Sequence, residues 1–524
     1  MKRFFRYTLY TLFFIFLCIF RFNLDIDFPF AASDGAIKYY QSKGYHDNGY
    51  FNFECPYKAK DLDPNFEYYP INYPWAVFLK TGEYKCVLQY PPFFSYIGTI
   101  LSKFSLLKYT LYIPIIFYFV NLLLLDSILL NLLDHKNKTS IFMITFFQAI
   151  SFTLLTIIDN SENSIFHFFN LLAIYIFSKS YIISKDSSFL LNLLIGILWG
   201  ISIVFRIEVI ISIFSFLLIY FLFNFTFKTF NNYFQIGIGL VIIILSFLIF
   251  NYLTVSEPLG FRFISQLDND KSSLGLLGHL KFAKAYLWGD KFMVGLFKYS
   301  PFLFLGFIFF IPKVFKQLSF PTKLFLLSGF LYFTLAALNV TVYGGMGYFG
   351  LRYMEGGLIL YLIGLALLWN ELKPDIHLYF RVGIYLLTLY LFTITWKSTK
   401  EGLKIIRNSS IEYRSLMRAF AKAGKEGVVI HSSLYSSYIL GSSFLEQKHI
   451  NLYDKNSCSK IMKKIPSNTY IIFVLPPENQ FITPDIPKRL YPRYKENFHC
   501  KIKKFKEIET QEIRGLKLIS GIKR

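Results

Sequence analysis

Long apolar runs separated by short polar stretches occupy the first three-quarters of the chain. The first run, Tyr7 to Phe20, follows Lys2, Arg3 and Arg6 and is closed by Arg21. Phe30-Ala31-Ala32-Ser33 only weakly resembles a cleavage stretch and lacks the A-x-A pattern, so an uncleaved anchor is expected. A polar segment of Pro, Gly, Tyr and acidic residues runs from about Asn23 to Tyr90, and Phe93 to Leu107 predicts an interfacial helix. Further runs near 109–133, 140–158, 164–183, 189–205, 207–227, 234–254, 296–313, 324–341, 355–370 and 382–396 each suit a membrane helix. The stretch 189–227 exceeds one crossing of the hydrocarbon core, which predicts a turn near Arg206. The pattern predicts an α-helical polytopic membrane protein with about eleven transmembrane helices.

The polar breaks carry orientation. Threaded from an N-terminus inside, the inner loops hold Asp134 to Lys138, Lys179 and Lys185, Lys228, Lys313 to Lys323, and Lys373 to Arg381. Each carries Lys or Arg, whereas the short outer turn around Asp159 carries none, as the positive-inside rule requires. The expected location is the inner (cytoplasmic) membrane, with the first loop (about 23–108) and the C-terminal segment outside.

Composition agrees with this reading: 54% of the 524 residues are hydrophobic and only 17% charged, and mean hydropathy is +0.42. The net charge of +22 would suggest nucleic acid in a soluble protein, but no recognition module accompanies it. Basic cytoplasmic loops and a basic outer domain facing anionic lipid explain it instead. Cys55 and Cys86 fall in the first outer loop, and Cys458 and Cys500 in the C-terminal segment. Two disulfides in an oxidising compartment and free thiols both fit that distribution.

The chain divides at about 396. Residues 397–524 are polar and basic, and Gly427 to His431 and Thr469 to Leu475 read as buried strands. A small C-terminal α/β extracytoplasmic domain is expected there, after a transmembrane domain at 1–396.

Ionisable residues at helix ends are the candidate chemistry, because charge at membrane depth is costly and marks sites. Asp34, Asp159, Glu162, Arg206 and Arg352 all fall on the outer side of the threading. Asp34 opens a helical stretch capped by Ser33, with Lys38 one turn on, so a capping acid with an ordinary i,i+4 partner is the plain alternative. Arg206 and Arg352 could equally snorkel to headgroups, or Arg352 could pair with Glu355. His167, on an apolar helix, reads as a buried polar contact. Literal D-x-D matches at Asp25/Asp27, Asp61/Asp63 and Asp268/Asp270 are cheap. Gly345-x-Gly-x-x-Gly350 matches the dinucleotide fingerprint but follows a membrane span and lacks a βαβ setting.

Taken together, several segments resemble the GT-C glycosyltransferases, which use polyprenyl-phosphate sugars and include the protein O-mannosyltransferases and the aminoarabinose transferases of lipid A. They are Ser33-Asp34-Gly35 with Lys38, Tyr90-Pro91-Pro92-Phe93, Asp159-Asn160-Ser161-Glu162, Gly196-x-x-x-Gly200 leading to Arg206-Ile207-Glu208, and Gly350-Leu351-Arg352-Tyr353. The layout covers about residues 1–396. The resemblance implies a GT-C type fold and transfer from a polyprenyl-phosphate-linked sugar donor to an outer acceptor, whether glycolipid, glycan or protein, in envelope glycan or glycoprotein assembly. It implies Asp34 as the base, Glu162 and Asp159 as supporting acids, and Arg206, Arg352 and Lys38 at the donor phosphate. The family's paired acids are replaced by Asp34-Gly35, so no cofactor is assigned and a divalent metal is left open.

The residue types suit that chemistry. The leaving group is already an anionic phosphate, so it needs cations more than a general acid, and guanidinium forks bind phosphate bidentately. A carboxylate beside the acceptor hydroxyl can take its proton. A transporter or flippase of a lipid-linked saccharide is the competing class, but it predicts internal repeats and midplane polar sites, and neither is evident. An O-antigen polymerase or ligase would share the substrates, with its long outer loop late in the chain rather than directly after the first span.

Overall fold

The computed structural model describes residues 3–24, 33–49, 54–71, 76–81, 83–88, 90–133, 138–184, 187–260, 275–291, 293–339, 350–432, 440–452, 455–475, 505–513 and 515–524. The chain forms two compact units, one of Met1–Arg21, Tyr112–Phe250 and Lys271–Ile405, the other of Phe22–Leu111, Asn251–Asp270 and Ile406–Arg524.

The first unit is helical. Among the described residues of the whole chain, 7 helices are long and apolar enough to cross a membrane: Phe4–Asn23, Leu107–Leu132, Asn163–Ile183, Phe227–Thr254, Phe320–Asn339, Leu351–Leu372 and Leu378–Ala421. The other four runs read from the sequence are shorter or broken. The run at 140–158 stops at Ala149 and restarts as Thr153–Ile157, where the Ser151 hydroxyl donates to the Gln148 carbonyl at 2.8 Å. The run at 296–313 becomes a four-residue helix and then a 3-10 segment, Pro301–Phe310, with Pro301 at its start and Pro312 opening the next helix. Proline lacks the N–H that would continue an α-helix and is tolerated only in a first turn. The run at 189–227 splits into Phe189–Phe205 and Val209–Phe223, with the break at Arg206.

Gly196 and Gly200 allow a close helix crossing. A Cβ on Gly196 would collide with the Ile236 carbonyl, and one on Gly200 would lie 2.7 Å from Ile243 Cβ. Small residues at such positions let backbones approach where lipid supplies no hydrophobic drive to associate.

The second unit holds a five-stranded mixed sheet. Its strands are β3 (Val428–His431), β4 (Lys448–Asn451), β5 (Tyr470–Leu475), β6 (Phe505–Ile513) and β7 (Leu516–Lys523), in the order β4-β3-β5-β7-β6. The strands β1 (Ala76–Thr81) and β2 (Glu83–Leu88) form a separate antiparallel hairpin. Alternation along β3 sorts the two faces of the sheet. Val429 packs with Leu416, Ala419 and Phe420 from the end of the helix Leu378–Ala421. Val428 and Ile430 pack with Ala59, Leu62 and Tyr68 from the first loop and with Ile461 from the helix Lys455–Lys464.

The first loop therefore helps build the core of the C-terminal sheet. Lys448 Nζ pairs with Asp61 at 2.8 Å, and the Asn451 N–H donates to the Tyr68 carbonyl at 2.8 Å. Asp63 accepts from the backbone N–H of Glu67 and Tyr68 and from the Tyr57 hydroxyl. The Asp61/Asp63 match to D-x-D is thus structural. Cys55 and Cys458 are both disulfide-bonded.

Candidate functional site

Arg206 leaves its helix because its own residue is extended, with φ −150° and ψ 118°. The chain turns there and the next helix starts at Val209, which brings Glu208 back over the guanidinium. Arg206 Nε donates to Glu208 Oε2 at 3.3 Å and Nη2 to Oε1 at 3.2 Å, the fork-on-fork pairing specific to arginine. Arg206 Nη1 donates to Asn163 Oδ1 at 2.8 Å and lies 3.6 Å from Glu162 Oε1. Three of the five guanidinium N–H groups are used in these hydrogen bonds. Arg206 is 6% exposed and Glu162 4% exposed, so this charge network is shielded from water.

Glu162 and Asn163 start the helix Asn163–Phe177, and the preceding turn contains Asp159, which is also buried. In that turn the Ser161 N–H donates to the Asp159 carbonyl at 2.9 Å, and the Ser161 hydroxyl donates to the Thr156 carbonyl at 3.0 Å.

Arg352 is presented by the 3-10 turn Gly350–Met354, just before the helix Glu355–Leu372. Arg206 and Arg352 line the same narrow cleft together with Glu208, Tyr332, Tyr353 and Phe166. The Tyr353 ring is within cation–π reach of both cations, its centre 5.7 Å from the Arg206 guanidinium carbon and 5.3 Å from that of Arg352. The Tyr332 hydroxyl donates to the Tyr353 carbonyl at 2.8 Å and so fixes the turn. Two guanidinium groups thus share one narrow cleft with an aromatic wall.

Behind this turn lies a second polar contact. Glu355, fully buried, accepts from the Thr156 hydroxyl at 2.7 Å and meets His167 Nε2 at 2.9 Å. His167 is the buried polar contact expected from the sequence, with Glu355 as its partner.

The second unit holds Asp34 and Lys38. Asp34 lies in the first turn of the helix Ser33–Asn48 and is partly buried. Lys38 is 2% exposed, and its ammonium lies 4.8 Å from the centre of the Tyr90 ring. The same helix is clamped to Pro92–Lys103 by Ser95, whose hydroxyl reaches Gln41 Oε1 at 2.8 Å. Tyr90-Pro91-Pro92-Phe93 is therefore the segment that seats the Asp34 helix. Gly344 to Phe349, Asp25/Asp27 and Asp268/Asp270 lie outside the described residues.

Sequence reasoning did not assign roles to Glu208, Tyr332 or Asn163. Arg-x-Glu at a helix break was the available signal for Glu208, because only a break lets residues two apart fold back on each other. Tyr332, on an apolar helix, carried no signal. Among the described residues no three His, Cys, Asp or Glu side chains gather as a metal site needs.

The apolar helices and the small mixed-sheet domain are those of a multi-pass membrane protein with the GT-C fold. The chain is similar over its whole length to ArnT from Cupriavidus metallidurans, crystallised in the apo state. The two align with a TM-score of 0.52 and 11% identity, covering 98% of this chain and 97% of that one. A structure of ArnT from the same organism bound to undecaprenyl phosphate aligns with a TM-score of 0.48 and 9% identity, covering 97% of each chain. No protein-family model and no curated protein sequence matches the chain.

Proposed function

We propose that this protein is a glycosyltransferase that moves a sugar from a polyprenyl-phosphate carrier to an acceptor on the outer side of the cytoplasmic membrane, in envelope glycan or glycoprotein assembly. The observation that carries the reading is the shared cleft of Arg206 and Arg352, held by Glu208 and walled by Tyr353. The GT-C fold supports it.

In this reading the acceptor hydroxyl oxygen forms a bond to the anomeric carbon as the bond from that carbon to the phosphate oxygen breaks. The electron pair leaves with the polyprenyl phosphate, and the acceptor proton goes to the Asp34 carboxylate. Arg352 stabilises the charge that grows on the phosphate. Such preorganised charge is often the largest single catalytic contribution. Arg206 adds its remaining N–H groups from a position fixed by Glu208, Glu162 and Asn163. Glu162 and Asp159 shape the turn beneath it. Lys38, buried against Tyr90 four residues from Asp34, holds positive potential near that carboxylate.

A domain boundary near 396 accompanies the proposal. The test is transfer by the purified protein from a panel of polyprenyl-phosphate sugars. Release of free polyprenyl phosphate matched by glycosylated acceptor supports the reading. Transbilayer movement of the intact lipid-linked sugar, without bond cleavage, would replace it with the transporter reading.

A further inference from the structure

The helix Glu355–Leu372 reaches a second site at its far end, about 25 Å along its axis from Glu355. There Leu365, Leu368, Trp369 and Leu372 line a crevice with Phe147 and Phe302. Its volume is about 220 Å³, below the roughly 300–1,000 Å³ of pockets that enclose a whole drug-sized ligand and room for part of one chain. Ile308, another lining residue, is 41% exposed, so the crevice opens sideways where a bilayer protein meets lipid tails.

One donor in this apolar lining lacks a partner. Trp369 Nε1 is buried and makes no hydrogen bond, while its ring packs against Tyr385 with centroids 5.3 Å apart. A buried indole N–H ordinarily finds an acceptor.

Cations gather where the crevice ends. Ile376 lines it, and its carbonyl accepts from Arg381 Nε at 2.7 Å, while Arg381 Nη2 donates to the Pro374 carbonyl at 3.2 Å. These bonds pin the Arg381 charge to the turn that also holds Lys373 and Asp375. Glu371, one residue before the helix ends, accepts from the Ser319 N–H at 2.9 Å and from the Ser319 and Thr322 hydroxyls. That contact ties in the segment carrying Lys313, Lys316 and Lys323.

We infer that this crevice binds an anionic glycerophospholipid. The acyl chain fills the apolar lining, an ester carbonyl accepts the Trp369 N–H, and the phosphate lies against Lys373 and Arg381. A polyprenyl phosphate fits less well, because it has no ester carbonyl to take the indole proton. The site is separate from the cleft of Arg206 and Arg352, and the inference does not rest on sugar transfer.

Native mass spectrometry of the purified protein, titrated with phosphatidylglycerol, phosphatidylcholine or undecaprenyl phosphate, tests it. The wild-type protein should retain phosphatidylglycerol over phosphatidylcholine by about fivefold, and Lys373→Gln should remove that preference. Ala366→Trp, which fills the crevice, should weaken both phospholipids. Trp369→Phe keeps the ring, removes the N–H and should weaken both equally; with Lys373→Gln it decides the matter if Ala366→Trp does not fold. The inference is overturned if Ala366→Trp, folded, retains phosphatidylglycerol like wild type, if Trp369→Phe and Lys373→Gln leave binding unchanged, or if undecaprenyl phosphate displaces phosphatidylglycerol from the wild-type protein.

Discussion

Glu208 grips Arg206 with both carboxylate oxygens, at 3.3 and 3.2 Å, from only two residues further along the chain. This pairing fixes the plane of the guanidinium facing Arg352. A lysine at 206 keeps the charge but has no planar fork. Arg206→Lys is predicted to lower transfer about 100-fold while leaving expression intact. Glu208→Gln, which keeps one acceptor oxygen, should lose less. Initial rates on the same lipid-linked sugar rank the two, and equal small losses would speak against a positioned guanidinium.

Asp34 supplies the next prediction. Asp34→Asn keeps the shape and removes the base, so transfer should fall by about 10²–10⁴ with membrane insertion unchanged. Labelling of a cysteine at position 34 by an impermeant reagent should occur from the outer side. Labelling only from the cytoplasmic side would invert the topology.

The apolar runs, the break at Arg206 and the strands at 428–431 and 470–475 were legible because each rests on local periodicity or on a Gly, Pro or charge signal. The rest was written in pairings distant along the chain. Lys448 meets Asp61 across 387 positions, so the first loop's place in the C-terminal core left no local trace. The strand β6 was also silent: its Lys506, Glu507, Glu509 and Glu512 alternate poorly, and as an edge strand it buries little. The Arg352 motif pointed to a site, but its link to Tyr332 lies between separate helices.

The buried Glu355–His167 contact gives a stability prediction. Glu355→Ala would leave the His167 ring without its buried partner, while the Thr156 hydroxyl keeps the Thr153 carbonyl, a loss of about 3 kcal/mol. Glu355→Gln preserves the shape and should lose less. Thermal unfolding followed by size-exclusion chromatography separates them, and identical midpoints for Glu355→Ala and wild type would contradict the assignment.

Gly200 and Gly237 form a matched pair. A Cβ at Gly200 would lie 2.7 Å from Ile243 Cβ, whereas one at Gly237 would meet nothing within 4 Å. Gly200→Leu should destabilise the helix crossing. Gly237→Leu should be neutral or stabilise by about 0.5–1 kcal/mol. The same unfolding assay reads both, and the reverse order would remove the close crossing.

Acid should loosen the C-terminal sheet domain. His431 and His449 lie 2.9 Å apart, fully buried, and the His449 ring also meets the Ser443 hydroxyl at 2.9 Å. Burial pushes His449 down to about 3 from its ordinary 6.5, and burial together with His449 holds His431 well below it. Below about 6.5 the unfolded chain binds more protons than the folded one, so stability falls as pH drops toward 3. At pH 5 His449 alone contributes a loss of about 2 kcal/mol. His449→Gln should flatten the fall between pH 7 and 5, measured by limited proteolysis of the intact protein, and an unchanged pH profile would exclude His449 as its source.

The most direct test of the central claim compares sugar transfer from a polyprenyl phosphate by Arg352→Ala and by Lys284→Ala, each reconstituted at equal amounts. Arg352→Ala is predicted to lose at least about 100-fold and Lys284→Ala less than about twofold. Equal, small effects from the two would show that the paired arginines do not hold the departing phosphate.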